Sequence, residues 1–207
     1  VLEHTRLQSP PHTPELRLML ADEITPIWRM TEEALAEIGL PPPFWAFAWP
    51  GGQALARHLL DHPALVAGKT MLDFAAGGGI AGIAGAMSGA IVEAAEIDPF
   101  AEAAIRINGQ LNGVEIAVSL GDMIGSENRW DVIMCGDICY EATMTNRVLP
   151  WLRKMAVSAE VWIADPGRSF LPKRGLERFA EYRVDTSLEL EDRTHHDVGL
   201  YRLSPLG

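Results

Sequence analysis

The stretch "LDFAAGGGIAG", Leu72 to Gly82, sets Gly77, Gly79 and Gly82 in the order G-x-G-x-x-G. By its letters this is the dinucleotide-binding fingerprint, in which a glycine loop brings backbone N–H groups and a helix N-terminus to an anion. Glu96 follows 19 positions after Gly77, the separation at which a carboxylate accepts from the two hydroxyls of a ribose. Nicotinamide dinucleotides and S-adenosylmethionine share that spacing, so it does not choose between them. The glycines could also serve only a tight strand-to-helix turn. The strand before them, the helix after them and Glu96 at the next strand end argue for a ligand.

The acids are more selective. Asp73, Glu96 with Asp98, Asp122, Asp137 and Asp165 each stand at or just after the end of a short apolar segment, and the glycine loop carries no Lys or Arg. In open parallel sheets, ligands bind outside the carboxyl ends of the strands. A diphosphate there faces several carboxylates, whereas a sulfonium and an amino group are not repelled. The ligand's own carboxylate could use the loop N–H groups. S-adenosylmethionine fits these demands better than a dinucleotide.

The elements that must position these residues follow from the pattern. From Lys69 onward, strands alternate with helices, a βαβ signature. Strands are predicted at "TMLDFA", "AIVEAAEI", "EIAVSL", "DVIMCGD" and "EVWIAD", with helices near Ile80–Ser88, Phe100–Asn112, Ala142–Met155 and Pro172–Ala180. "YRVDTSLELE" and "VGLYRLS" read as an antiparallel pair, an uncommon ending for a nucleotide-binding Rossmann domain. Upstream, Gln53–His62 has helical character. A helix is predicted with Thr25 as its N-cap, Pro26 at its first position and Ile27, Ala34, Leu35 and Ile38 as its apolar face, ending at Gly39. The first ~20 residues, rich in Pro and polar groups, are expected to be a loose arm.

Composition excludes other classes. Twenty-eight acidic against 17 basic residues, net −11, disfavour a nucleic-acid partner, whose affinity comes from Lys and Arg on phosphates. No apolar run approaches the ~20 residues of a membrane helix. No secretory signal is visible, so the expected compartment is cytoplasmic in a bacterium, or the mitochondrial matrix for a processed eukaryotic form. Cys135 and Cys139 have neither redox nor zinc spacing and read as buried thiols. His195 and His196 are adjacent, their side chains diverge, and no metal site is expected.

"FWAFAWPGGQALARHLL", "KTMLDFAAGGGIAGIAGAMSGA", "EIDPFAEAAIRINGQLNGV", "RWDVIMCGDICYE" and "IADPGR" together resemble class I, seven-β-strand methyltransferases. Within these they resemble most the protein-lysine methyltransferases of the electron-transfer flavoprotein beta subunit. The resemblance runs from about Phe44 to Arg168. It implies a Rossmann-like α/β fold with a mostly parallel seven-stranded sheet, helices on both faces and a C-terminal antiparallel hairpin. The catalytic domain would span 44–207, with 1–43 an arm and helix packed on it. It implies a monomer that takes S-adenosylmethionine and a protein substrate, the electron-transfer flavoprotein beta subunit. Another protein, such as a ribosomal protein, or a small molecule is the alternative on the same fold, and a noncatalytic binding module is a third reading.

Carried over by position, the resemblance implies a cofactor loop of Asp73, Ala75, Ala76, Gly77 and Gly79. Glu96 would be the ribose acceptor beside Ile97, Asp122 and Met123 the adenine edge, Trp49 a cofactor contact, and Gly136 a close backbone approach. In "GDICY", Asp137 and Tyr140 would line the substrate channel as the catalytic pair, Asp137 capturing and orienting the lysine. One departure stands out: Ala75 replaces the usual first loop glycine, tolerable if its φ stays negative. Nucleobase amino-methyltransferases typically place N-P-P-Y or D-P-P-Y where this chain has "GDICYE".

Overall fold

The computed structural model describes residues 2, 5–21, 42–186, 191 and 193–205. The predicted helix from Thr25 to Gly39 lies outside the described residues. The first ~20 residues are not a loose arm. β1 (Arg6–Gln8) and β2 (Leu18–Leu20) form an antiparallel pair, and Leu16 and Leu18 are buried in the core. Three leucines at i, i+2, i+4 put one apolar face inward, which the proline-rich composition around them masks.

After the turn at Phe44–Ala46, α1 (Pro50–Asp61) opens with Pro50 at its favoured first position. β3 (Thr70–Phe74), α2 (Ile80–Met87), β4 (Ile91–Glu96), α3 (Pro99–Leu111), β5 (Ala117–Leu120), β6 (Val132–Gly136), α4 (Ala142–Met155) and β7 (Glu160–Asp165) then alternate as expected. The parallel strands stand in the order β5-β4-β3-β6-β7. From β3 the chain steps outward through α2 and α3 in one direction, and from β6 through α4 in the other. Right-handed crossovers therefore place α2 and α3 on one face and α4 on the opposite face. Alternation along the strands feeds both cores. Met71, Val132, Met134 and Trp162 pack toward α1 and α2, while Leu72, Ile133, Cys135 and Ile163 pack toward Val148 and Leu152 of α4.

β8 (Leu176–Asp185) and β9 (His195–Leu203) are antiparallel, and β9 inserts between β7 and β8 to complete seven strands. The predicted helix over Pro172–Ala180 is corrected: its second half is the start of β8. The strand is irregular between Arg178 and Ala180. Leu176, opposite Leu203, packs on the α4 side, whereas Phe179, Ala180 and Tyr182 pack on the α1 side. A bulge inserts one residue and mimics helical i, i+3 spacing in a sequence that is otherwise strand. The predicted pairing of the last two segments holds where it can be followed, although 187–190 lie outside the described residues.

Candidate active site

Two helices begin against acids borrowed from strand ends. Residue Gly79, at the N-terminus of α2, offers no side chain to its free N–H groups, and Asp73 at the end of β3 supplies one. Its Oδ2 accepts from Gly82 N–H at 2.7 Å, and a Cβ on Gly82 would lie 2.9 Å from that oxygen. The third glycine of the fingerprint thus makes room for a carboxylate. Burial pushes Asp73 up to about 7, against the pull of the Gly82 N–H. At α1, Asp137 Oδ2 accepts from Gly51 N–H at 2.7 Å and Gly52 N–H at 3.3 Å. A Cβ on Gly51 would meet that oxygen at 2.5 Å, so the W-P-G-G element lets α1 begin on the end of β6.

The loop itself is tight. Ala75 has φ +56°, so the expectation of a negative φ is overturned. Left-handed backbone at a residue with a Cβ costs about 1–2 kcal/mol, strain of the kind found at ligand clamps. Asp137 has the same φ, +56°, and its type tolerates it better.

A cavity of about 500 Å³ opens outside the ends of β3, β4, β5 and β6. Trp49, Ala75, Gly77, Glu96, Ile97, Asp122, Met123, Gly136, Asp137 and Tyr140 of the expected residues line it. Asp73 and Ala76 line a smaller recess beside it, whereas Gly79 stands behind the loop with Ile105 against its backbone. Glu96 Oε1 accepts from Gly77 N–H at 2.6 Å and Oε2 from Ile97 N–H at 3.0 Å. Burial raises Glu96, with those two N–H groups working against the rise. No Lys or Arg pairs with it among the described residues. Asp98 instead caps α3 through Phe100 N–H at 2.8 Å. Asp122 accepts from Ile124 N–H at 3.0 Å and from Arg147 of α4.

At the other end the cavity is aromatic. Trp49 donates its indole N–H to Phe44 O at 2.7 Å, and the Phe44 ring lies 5.9 Å from Trp49 and 5.7 Å from Tyr140. Burial pushes Asp137, beside them, up to about 6, and Arg168 opposes the rise. Both cysteines are buried, and burial holds the Cys139 thiol up to about 12. Phe44, Arg147 and Arg168 also line the cavity and are not among the residues expected there. The aromatic run held a signal for Phe44 and the "DPGR" turn one for Arg168, while nothing marks Arg147 among the exposed arginines of a helix.

A carboxylate without a cationic partner among the described residues, apolar walls at Ile97 and Met123, and loop N–H groups fit a ribose, an adenine and an amino-acid head. No protein-family model matches the chain. A Xenopus laevis protein named electron transfer flavoprotein beta subunit lysine methyltransferase is 38% identical over 214 residues, covering 99% of this chain and 86% of that protein. The chain belongs to this family. Its Homo sapiens relative of the same name is 35% identical, over 91% of this chain and 72% of that protein.

Solved structures show the same fold. The magnesium protoporphyrin IX methyltransferase of Synechocystis PCC 6803, with bound SAH, superposes with TM-score 0.54 at 14% identity, over 74% of this chain and 81% of that one. The ribosomal protein L11 methylase of Lactobacillus delbrueckii subsp. bulgaricus gives 0.52 at 18%, over 76% and 81%. In this lysine methyltransferase family member, the strand order and the inserted antiparallel strand are thus those of a class I methyltransferase.

Proposed function

We propose that the chain transfers methyl groups from S-adenosylmethionine to lysine side chains of the electron-transfer flavoprotein beta subunit. The observation that carries this reading is family membership over nearly the whole chain, because the relatives' names specify both reaction and substrate. The cavity supports it: Glu96 would take the ribose hydroxyls, Ile97 and Met123 would flank the adenine, and the Ala75–Gly77 loop would receive the amino-acid head. When bound, S-adenosylmethionine supplies an electrophilic methyl carbon, and the lysine N–C bond forms as the S–C bond breaks, sulfur keeping the electron pair.

The protein's own part is positioning and desolvation. Holding an amine in line near attack distance is the main source of acceleration for such a displacement. A lysine ammonium, with an ordinary pKa of ~10.4, must first lose its proton. Phe44, Trp49 and Tyr140 form an apolar passage that disfavours the charged amine. Asp137, at the inner end, guides and orients it. Incubation with radiolabelled S-adenosylmethionine and cell extract, followed by peptide mapping, tests the substrate. Label on lysines of the flavoprotein beta subunit is the expected result; label confined to another protein or to a small molecule would overturn it.

A further inference from the structure

β7 ends at Asp165, and Asp165-Pro166-Gly167-Arg168 form a turn that aims one side chain. Asp165 Oδ1 accepts from Gly167 N–H and Arg168 N–H, both at 2.7 Å, and Gly167 takes φ +87°. The turn sends the Arg168 guanidinium back into the cavity wall. There Nη2 donates to Asp137 Oδ1 at 3.3 Å and to Glu191 Oε1 at 2.7 Å. The two oxygens of Asp137 are therefore divided: the N-terminus of α1 holds Oδ2, and Arg168 holds Oδ1. Arg168 Nε is buried without a hydrogen-bond partner among the described residues, so the guanidinium is committed through Nη2.

We propose that Arg168 is a positioning residue for methyl transfer, acting through Asp137. Its contact fixes the carboxylate in one orientation, and its charge offsets the anion beside which the lysine amine must become neutral. The inference rests on the proposed lysine chemistry and deepens it. Asp137 alone would bind the ammonium and hold its proton, which opposes reaction. With a guanidinium at 3.3 Å, the same carboxylate orients the amine while the local field favours loss of its proton to water. Glu191 sets how much of the Arg168 charge reaches Asp137. Among the described residues, the other groups facing this pair are Asp165 at the end of β7, the Cys139 thiol, the N–H groups of Gly51 and Gly52, and His196 of β9. The His196 Nε2 lies 3.4 Å from Glu191 Oε2.

The test is Arg168→Gln, which keeps donors and loses charge. Removing the cation raises the pKa of every neighbouring group, so the pH at which kcat reaches half its maximum moves up by about one unit. At neutral pH kcat falls about tenfold and is recovered as the pH is raised, with the dissociation constant for S-adenosylmethionine unchanged. Carboxyl 13C NMR of Asp137, without any turnover, shows its titration moving up in Arg168→Gln and down in Glu191→Gln. A kcat profile superimposable on wild type, a uniform loss that high pH does not recover, or an Asp137 titration unmoved in either variant overturns the proposal. A wild-type protein that methylates no lysine would refute the proposed function, while the NMR titrations would still report whether Arg168 governs Asp137.

Discussion

Glu96 is held in place by two backbone N–H groups and offset by no basic side chain among the described residues. The proposed ribose contact therefore rests on it alone, and Glu96→Ala should weaken S-adenosylmethionine binding by about 1–3 kcal/mol, the worth of a charge-assisted hydrogen bond. Calorimetry reads this directly, and an unchanged dissociation constant would move the ribose to Asp98. Asp73 makes a different prediction. Folding raises its pKa from 3.8 to about 7, so the folded protein keeps the proton longer than the unfolded chain. Its stabilising contribution is complete below the unfolded value and is lost as pH rises through about 7. Asp73→Asn keeps an acceptor for Gly82 N–H and flattens the stability curve between those limits, as urea melts across pH would show; an unaltered curve would contradict it. Asp137, raised in the same direction, leaves a residual slope. The types and order of these acids were legible in the chain. Which of them cap helices and which face the cavity was not: Asp137 meets α1 from a strand 86 positions away, and Asp73, only nine before Gly82, turns back onto α2 and not outward.

Elements were legible where local pattern and tertiary demand agree, as in β3 through β7 and the helices between them. They were not where long-range pairing overrides propensity. β8 is a strand because β9 offers it a partner, and the N-terminal segment is ordered because α3 receives it. Asn108, in the last turn of α3, and Asn112, at its C-cap, make that dock. Asn108 Oδ1 accepts from Met19 N–H at 2.7 Å while its Nδ2 donates to Gly78 O at 2.9 Å, and Asn112 pairs with both backbone groups of Arg17. Asn108 is fully buried and joins the N-terminal hairpin to the glycine loop. Asn108→Ala takes the partner from the half-buried Met19 N–H and the half-buried Gly78 carbonyl, at a cost of about 1–3 kcal/mol in all. Chemical denaturation should register the loss, with hydrogen exchange fastest at β2. Wild-type stability and protection in that variant would mean the dock does not depend on Asn108.

At the scale of the molecule, opposite walks from β3 and β6 open a crevice at the strand ends, and the site sits where the strand order reverses. The net charge of −11 suits a substrate presenting lysines better than one presenting phosphates. The proposed reaction is methyl transfer to lysine with Asp137 at the reacting end. Because Asp137 also caps α1, Asp137→Asn is the informative variant: it keeps an acceptor for Gly51 N–H and removes the charge. The most direct measurement is intact-mass spectrometry of purified electron-transfer flavoprotein beta subunit after incubation with S-adenosylmethionine and either protein. Successive methyl increments on lysines with the wild type, and none with Asp137→Asn at undiminished cofactor affinity, are predicted. A flavoprotein subunit left unmodified by the wild type, or modified equally by both, would contradict the account.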